Sequence, residues 1–295
     1  MRTLRRRTGE DVVLDSVNYT LLTIIAFVTF YPFYYILVLS FNSGADSTYG
    51  GVYLWPRSFT LENYIFFFQD INWLKGFLVS TARTVVGSVM TVTFTCMMAY
   101  GLARNDLIFR KTYFLLVIVA MNFSGGLIAY YVVLRGIGLL NSFGVYVIPS
   151  MLNLFFLLIA ISFFREIPSE LGESARIDGA SEISILIRII LPVSMPLLAT
   201  MALFVGSGQW NAWLDSAYFV QDENLRTLSY RMIQVINQTV ISADVGAANY
   251  TANLKVTQFS VQVTAMVISI APIVCVYPFL QKYFVQGIML GSVKG

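Results

Sequence analysis

The sequence predicts an all-α integral membrane protein of six transmembrane helices with both termini on the cytoplasmic side. Three observations carry this: an apolar composition, six long apolar runs, and an uneven spread of lysine and arginine between them. Of the 295 residues, 57% are hydrophobic, 15% aromatic and 12% charged, and the mean hydropathy is +0.71. A chain so poor in polar groups cannot cover its apolar surface in water, so the solvent it expects is lipid.

Each run supplies the roughly 20 residues that a helix needs to cross a bilayer. The first, NYTLLTIIAFVTFYPFYYILVLSF, covers about 18–41, and the second about 79–103. The third (about 112–134) and fourth (about 143–164) are joined by the short RGIGLLN stretch. The fifth covers about 185–206 and the sixth about 259–281; the polar segment between them, about 207–258, holds no further span. The apolar residues are continuous rather than alternating, which favours helices over barrel strands. Pro32, Pro149, Pro192, Pro196, Pro272 and Pro278 lie in or beside the runs, where static packing kinks and hinges are equally good readings. Gly87, Gly125, Gly126 and Gly206 allow helices to approach closely. With the N-terminus inside, inner segments hold twelve lysines and arginines and outer segments six, the bias expected of cytoplasmic loops. Arg83, near the outer end of the second run, has the length to snorkel toward the interface.

The same composition narrows the chemistry. There is no histidine, and Cys96 and Cys275 each sit inside an apolar run, so metal ligation, a disulfide and imidazole catalysis are not expected. A net charge of +3 is no nucleic-acid signal. The basic start MRTLRRR is followed by Glu10, Asp11 and Asp15 rather than by a cleavable signal peptide. No glycine is directly followed by lysine, so a phosphate-binding loop is absent and the chain is not expected to hydrolyse ATP itself. Asp and Glu are nearly excluded from the runs, which argues against a proton or sodium relay.

One stretch breaks the apolar pattern. ESARIDGASEISILIRIILPVSMP, residues 173–196, brings Glu173, Arg176, Asp178, Glu182 and Arg188 together. Pro168-Ser169 suits the start of a short helix, ELGESARI, with Glu170 and Glu173 where the helix dipole favours anions. Asp178-Gly179 ends it, and Asp178 is placed to cap the helix that follows. A short surface helix joined by a tight turn to a spanning helix can act as a lever; an ordinary helix–turn–helix loop is the plainer alternative.

The stretch resembles the signature of the integral membrane subunits of bacterial ABC importers, written E-A-A, then D-G-A, then I-x-L-P. The chain has Glu173-Ser174-Ala175, Asp178-Gly179-Ala180 and Ile189-Ile190-Leu191-Pro192 at that spacing, with Ser174 in place of the first alanine. The resemblance implies a type I importer permease fold, in which this element is the coupling helix seated in a cleft of the ATPase subunit. Glu173 would face the basic lip of that cleft, Ala175 would permit close docking and Gly179 would make the turn, with Ser174, Arg176, Asp178 and Ala180 completing the contact. SGGLIAYYVVLRGIGLLNSFGVYVIP (124–149) is similar to carbohydrate permeases of the maltose-importer type, in the branch that includes importers of acidic oligosaccharides such as alginate. Ala129 stands where that branch has proline, which implies a softer bend there. Trp210-Asn211 with Trp213, and the ending KYFVQGIMLGSVKG, resemble the same branch.

On this reading residues 1–16 are a cytoplasmic N-terminal segment and 17–295 a six-helix permease domain. That domain has a coupling loop at about 165–185, an external loop at about 207–258 and a C-terminal tail at about 282–295. The expected location is the bacterial inner membrane. Expected partners are a second homologous permease subunit, two ATPase subunits and an extracellular or periplasmic sugar-binding protein. ATP and magnesium would be held by the ATPases and no cofactor by this chain. Pro192 and Pro196 are the candidates for a hinge or bend. Asn122, Asn153, Gln209, Trp210 and Asn211 are the candidates for lining a substrate path, with helix–helix hydrogen bonding as the competing role. Arg83 and Arg135 are candidates for meeting an acidic sugar, against snorkelling or loop solvation. The aromatics and amides of 207–258 suit stacking on sugar rings, as in a membrane-anchored binding protein, but contact with a partner protein is the preferred reading. A secondary carrier or channel for small polar solutes is the rival transport reading, and it leaves the charged stretch unexplained.

Overall fold

The computed structural model describes residues 9–104, 106–244 and 255–292. In chain order the helices are α1 (Gly9–Ser40), α2 (Gly44–Thr48), α3 (Glu62–Gln69), α4 (Ile71–Ala103) and α5 (Arg110–Asn122). Then follow α6 (Gly126–Gly136), α7 (Gly144–Val147), α8 (Leu154–Glu166), α9 (Glu170–Ile177) and α10 (Glu182–Ile185). The rest are α11 (Leu191–Val193), α12 (Met195–Asn211), α13 (Leu214–Phe219), α14 (Leu228–Asp244) and α15 (Gln258–Ser292). Among the described residues no strand forms beyond one isolated bridge, Asn42 to Phe59.

Three helices are individually long and apolar enough to cross a membrane: α1, α4 and Gln258–Pro278 of α15. The third, fourth and fifth apolar runs each form a bent pair, so the count reaches six only if each pair is one span. The third run breaks by 113° between α5 and α6. No proline causes that break; Gly126, at φ +76°, turns the chain through a conformation open to glycine. Ala129 lies inside α6, so the bend falls before the position where the missing proline implied a softer one. The fourth run bends by 44° before α8, where Asn153 caps the helix by accepting from Phe156 N at 3.0 Å. The fifth run contains a π-helical turn, Leu186–Ile190, then bends by 85° between Val193 and Met195. Pro192 precedes that corner and Pro196 opens α12, where its missing N–H is least costly.

The N-terminal segment of 1–16 is helical from Gly9 onward as part of α1. The polar segment of 207–258 takes in the end of α12, α13, a 3-10 turn Glu223–Leu225 and all of α14. Residues 1–8, 245–254 and 293–295, belonging to the expected N-terminal segment, external loop and tail, lie outside the described residues.

The chain divides into two compact units, one drawn from Met1–Gln69 and Val235–Ile268, the other from Asp70–Gln234 and Ser269–Gly295. In the first, α1 leaves most of its apolar residues from Val12 to Phe33 exposed, as a helix facing lipid does. Its end is fastened by side chains: Asn63 Nδ2 donates to Ser40 O at 3.0 Å and Asn42 O at 2.9 Å, satisfying carbonyls that a helix terminus leaves open. Asn42 Nδ2 in turn donates to Asp46 Oδ2 at 2.9 Å.

The second unit is organised on α4. Gly76, Ser80, Arg83, Gly87, Thr91, Thr95 and Ala99 are buried along it at three- and four-residue spacing, one continuous face of a helix. Val85, Val89, Met97 and their neighbours on the opposite face are exposed. At one end α4 packs into an apolar cluster with α8, α10 and α12, centred on Cys96, Leu157, Ile161, Ile185 and Met201. From Gly76 to Thr95 the buried residues are small or polar, and that part of α4 builds the site.

Candidate functional site

Helix α9 has acids in its first turn, Glu170 and Glu173, and Arg176 in its last, each the sign its end of the helix dipole favours. The helix stops in a hydrogen-bonded reversal. Ala180 N donates to Ala175 O at 2.9 Å and Gly179 N to Arg176 O at 3.0 Å, the paired bonds of a Schellman cap. That cap requires a left-handed residue, and Gly179 supplies it at φ +82°. Asp178 is the C-cap of α9, not the cap of the following helix. Ser181 holds that role, its Oγ accepting from Ser184 N at 3.3 Å. No residue of α9 is fully buried; Leu171 and Ile177 are exposed apolar side chains. Among the described residues, Glu173 has no side-chain hydrogen bond or ion pair of its own.

A cleft of about 640 Å³ lies beside α9, lined by Tyr100, Arg104, Arg165, Glu173 and Arg176 among others. Glu182 bridges it. Its Oε1 accepts from Arg176 Nε at 2.8 Å and meets Arg104 Nη1 at 3.2 Å. Its Oε2 accepts from Tyr100 Oη at 2.6 Å and Arg176 Nη2 at 3.3 Å. Arg104 also holds Asp106, with Nε to Oδ1 at 3.0 Å and Nη2 to Oδ2 at 2.9 Å. The hydrogen bond from Arg104 pulls the Asp106 carboxyl below its ordinary range, and the bond to Glu182 raises Arg176. This carboxylate cluster was not singled out from sequence.

The second feature is a polar layer on α4. Arg83 is 3% exposed and does not snorkel. Its Nη2 donates to Asp215 Oδ2 on α13, its Nε to Gln209 Oε1 at 2.8 Å and its Nη1 to Ala212 O at 3.1 Å. The guanidinium also lies over the Tyr146 ring, 4.6 Å from its centre. Gln209 Nε2 continues the chain to Ser150 Oγ at 2.7 Å, and Thr91 Oγ1 donates to Ser150 O at 2.7 Å. Hydrogen bonds of this kind are what buried polar groups require. A cavity of about 230 Å³ opens onto this layer, lined by Arg83, Thr91, Ser150, Asn153, Phe204 and Gln209 among others.

Of the five path candidates, the structure brings two to this cavity, Asn153 and Gln209. Trp210 turns the other way: its Nε1 donates to Ser269 O at 3.0 Å and its ring meets Phe77 edge-on. Asn211 is exposed and bonded to Ser207 O, and Asn122 is exposed and bonded to Ile118 O. Neither lines the cavity. Arg135 is exposed at the end of α6. Thr91, Ser150 and Asp215 were missed, although an arginine inside an apolar run is itself a signal that a buried partner exists.

No protein-family model matches the chain. It is 37% identical over 290 residues to Protein LplC of Bacillus subtilis (strain 168), covering 98% of this chain and 97% of that one. It is 33% identical over 290 residues to the polygalacturonan/rhamnogalacturonan transport system permease protein YtcP of the same organism, covering 97% and 100%. Among solved structures, a chain of a bacterial ABC transporter involved in import of the acidic polysaccharide alginate superimposes with a TM-score of 0.85 at 27% identity. That match covers 95% of this chain and 99% of that one. Near-complete coverage in both directions, with the all-helical fold and the motif of residues 173–192 in place, leads to one conclusion: the chain belongs to the membrane permease subunits of bacterial sugar ABC importers.

Proposed function

We propose that the chain is half of the translocation path of an ATP-driven oligosaccharide importer, with α9 as the helix on which a separate ATPase subunit pulls. In this reading it crosses the cytoplasmic membrane six times with both termini inside, and each bent pair counts as one crossing. A second permease subunit completes the path, two ATPase subunits hold ATP and magnesium, and a sugar-binding protein delivers cargo from outside. Closure of the ATPases on ATP would move α9 and shift the bundle between inward- and outward-facing packings, each favoured by a different ligand.

The observation that carries the reading is the α9 cap. A short, unburied helix ends in a rigid Schellman turn at Gly179 and feeds directly into the bent fifth run. It offers an unpaired Glu173 with exposed Leu171 and Ile177 to a partner, and its turn is stiff enough to transmit a push. Cargo class follows from relatives whose names specify polygalacturonan and alginate, together with the cavity beside Gln209 and Asn153, whose amides and hydroxyls suit sugar hydroxyls. Arg83 adds no net charge there because Asp215 neutralises it, so selection for an acidic sugar is assigned to the binding protein.

The test is affinity purification in mild detergent from the native membrane, followed by uptake assays. An ATPase subunit and a second permease should co-purify. Glu173→Lys and Gly179→Pro should each abolish uptake while the chain is still inserted at wild-type level; full uptake in both would remove α9 from the mechanism.

A further inference from the structure

The reading above makes α9 pull on the fifth run, to which it is joined by four residues of chain. The second apolar helix, α4, has no such covalent link. Tyr100 and Glu182 are 82 residues apart, so anything α4 learns of α9 passes through side chains. We propose that Glu182 is a positioning residue that makes α9 and the end of α4 move as one body; this inference rests on α9 being the docking helix.

The geometry assigns it that role. Its two oxygens take four contacts from two other elements: Arg176 of α9 binds both oxygens, Tyr100 binds Oε2 and Arg104 binds Oε1. The Arg176 contact is two-pronged, which fixes orientation as well as distance. A cleft lies between much of α9 and Arg104, so apolar packing duplicates the link only through Ala175, which rests on the same cluster as Tyr100 and Ala103. Arg176 itself lies in the last turn of α9, immediately before the Gly179 reversal, so a displacement of α9 reaches it with little slack. Glu182 heads the next helix, capped by Ser181. One carboxylate therefore joins α9, the start of the fifth run and the end of the second.

The members are 39% to 43% exposed where charged, so they contribute little to stability. Their consequence is shared motion, and the experiment reads motion. Spin labels are placed at Gly101→Cys in α4, where open space surrounds the residue, and at Ser169→Cys, whose side chain makes no cap bond. The background is Cys275→Ser, with Cys96 left in place because it is 1% exposed. Interlabel distances are measured by pulsed electron paramagnetic resonance on the intact importer complex in lipid nanodiscs, at rest and after trapping with ADP and vanadate. The unmodified link predicts one narrow distance that does not change on trapping. Glu182→Ala predicts a broadened distance that shifts on trapping, with the melting temperature of the complex unchanged. Tyr100→Phe with Arg104→Gln releases α4 from the other side and predicts the same result, and combining all three changes adds nothing further. If Glu182→Ala prevents assembly, the Tyr100/Arg104 pair carries the test alone. A narrow, unmoved distance in these variants, or a distance that shifts on trapping with the link intact, overturns the proposal while α9 remains the docking helix. Failure of the unmodified complex to bind an ATPase or trap vanadate overturns the docking reading and this proposal with it.

Discussion

Replacing Asp215 by Asn would leave a guanidinium buried without its counter-charge, and the size of the penalty can be worked from the site. Arg83 is 3% exposed and Asp215 27%. Removing one partner of a buried ion pair costs about 3–5 kcal/mol, chiefly because the other charge is stranded. Two features pull the figure toward the low end. Gln209 Oε1, Ala212 O and the Tyr146 ring keep hold of the guanidinium, and the partial exposure of Asp215 admits water. We therefore expect a loss of about 2–3 kcal/mol for Asp215→Asn. At about 2–4 °C per kcal/mol for chains of this size class, the melting temperature of the detergent-purified protein should fall by about 5–10 °C.

The double variant Arg83→Met with Asp215→Leu discriminates between explanations. Replacing both members by apolar groups strands no charge and is often close to neutral, so the double variant should melt well above Asp215→Asn. Additive losses, or an Asp215→Asn protein melting with the wild type, would refute the assignment of Arg83 as a buried, paired charge.

Two other perturbations follow from the same coordinates. A methyl group at Gly87 would sit 3.0 Å from Cδ and Nε2 of Gln209, displacing that amide from Arg83 and Ser150; Gly87→Ala should cost about 1–3 kcal/mol and reduce uptake. Gly101→Ala, in the same helix but in open space, should be neutral or stabilising by up to about 1 kcal/mol, so the pair separates crowding from helix propensity in one melting experiment. In the first unit, the hydrogen bond from Asn42, followed by the pairing with Arg57, lowers the Asp46 carboxyl below its ordinary range. A depressed carboxylate stabilises the fold above its unfolded value, near pH 3.9, and loses that contribution as pH falls through the folded value. The melting-temperature gap between wild type and Asp46→Asn should therefore hold from pH 7 to about 5 and close below about pH 4, with an amplitude under about 1 kcal/mol for so exposed a pair.

What was legible in the sequence was what is local. The α9 helix, its acidic start and its glycine stop lie within a dozen residues, so spacing and turn chemistry specify them. Pairing at long range was not legible. Arg83 finds Gln209 and Asp215 at separations of 126 and 132 residues, and nothing in the second run names those partners. The pattern along α4 held a clue: Ser80, Arg83, Gly87, Thr91 and Thr95 recur at helical spacing, and a polar stripe in an apolar helix must face protein, since lipid offers no hydrogen bonds. Bends were only half legible because prolines drew the attention. The 85° corner does sit among prolines, whereas the 113° break in the third run rests on Gly126.

A chain with only 12% charged residues nonetheless keeps a full polar layer beside a cavity in its α4-centred unit. Stability does not require this; packed apolar side chains would serve the interface of α4 and α12 at least as well. On the function proposed above, transport of hydroxylated cargo would require it. A sugar entering a lipid-embedded path must give up water, and each hydroxyl left unpaired costs a few kcal/mol. Groups that already hold hydrogen bonds to one another, as Gln209, Ser150 and Thr91 do, can exchange those bonds for bonds to cargo and resume them afterwards. The Arg83–Asp215 pair fits the same logic: it anchors Gln209 while contributing no net charge to the cavity, so on the proposed path a sugar would meet hydrogen-bonding capacity without an electrostatic trap.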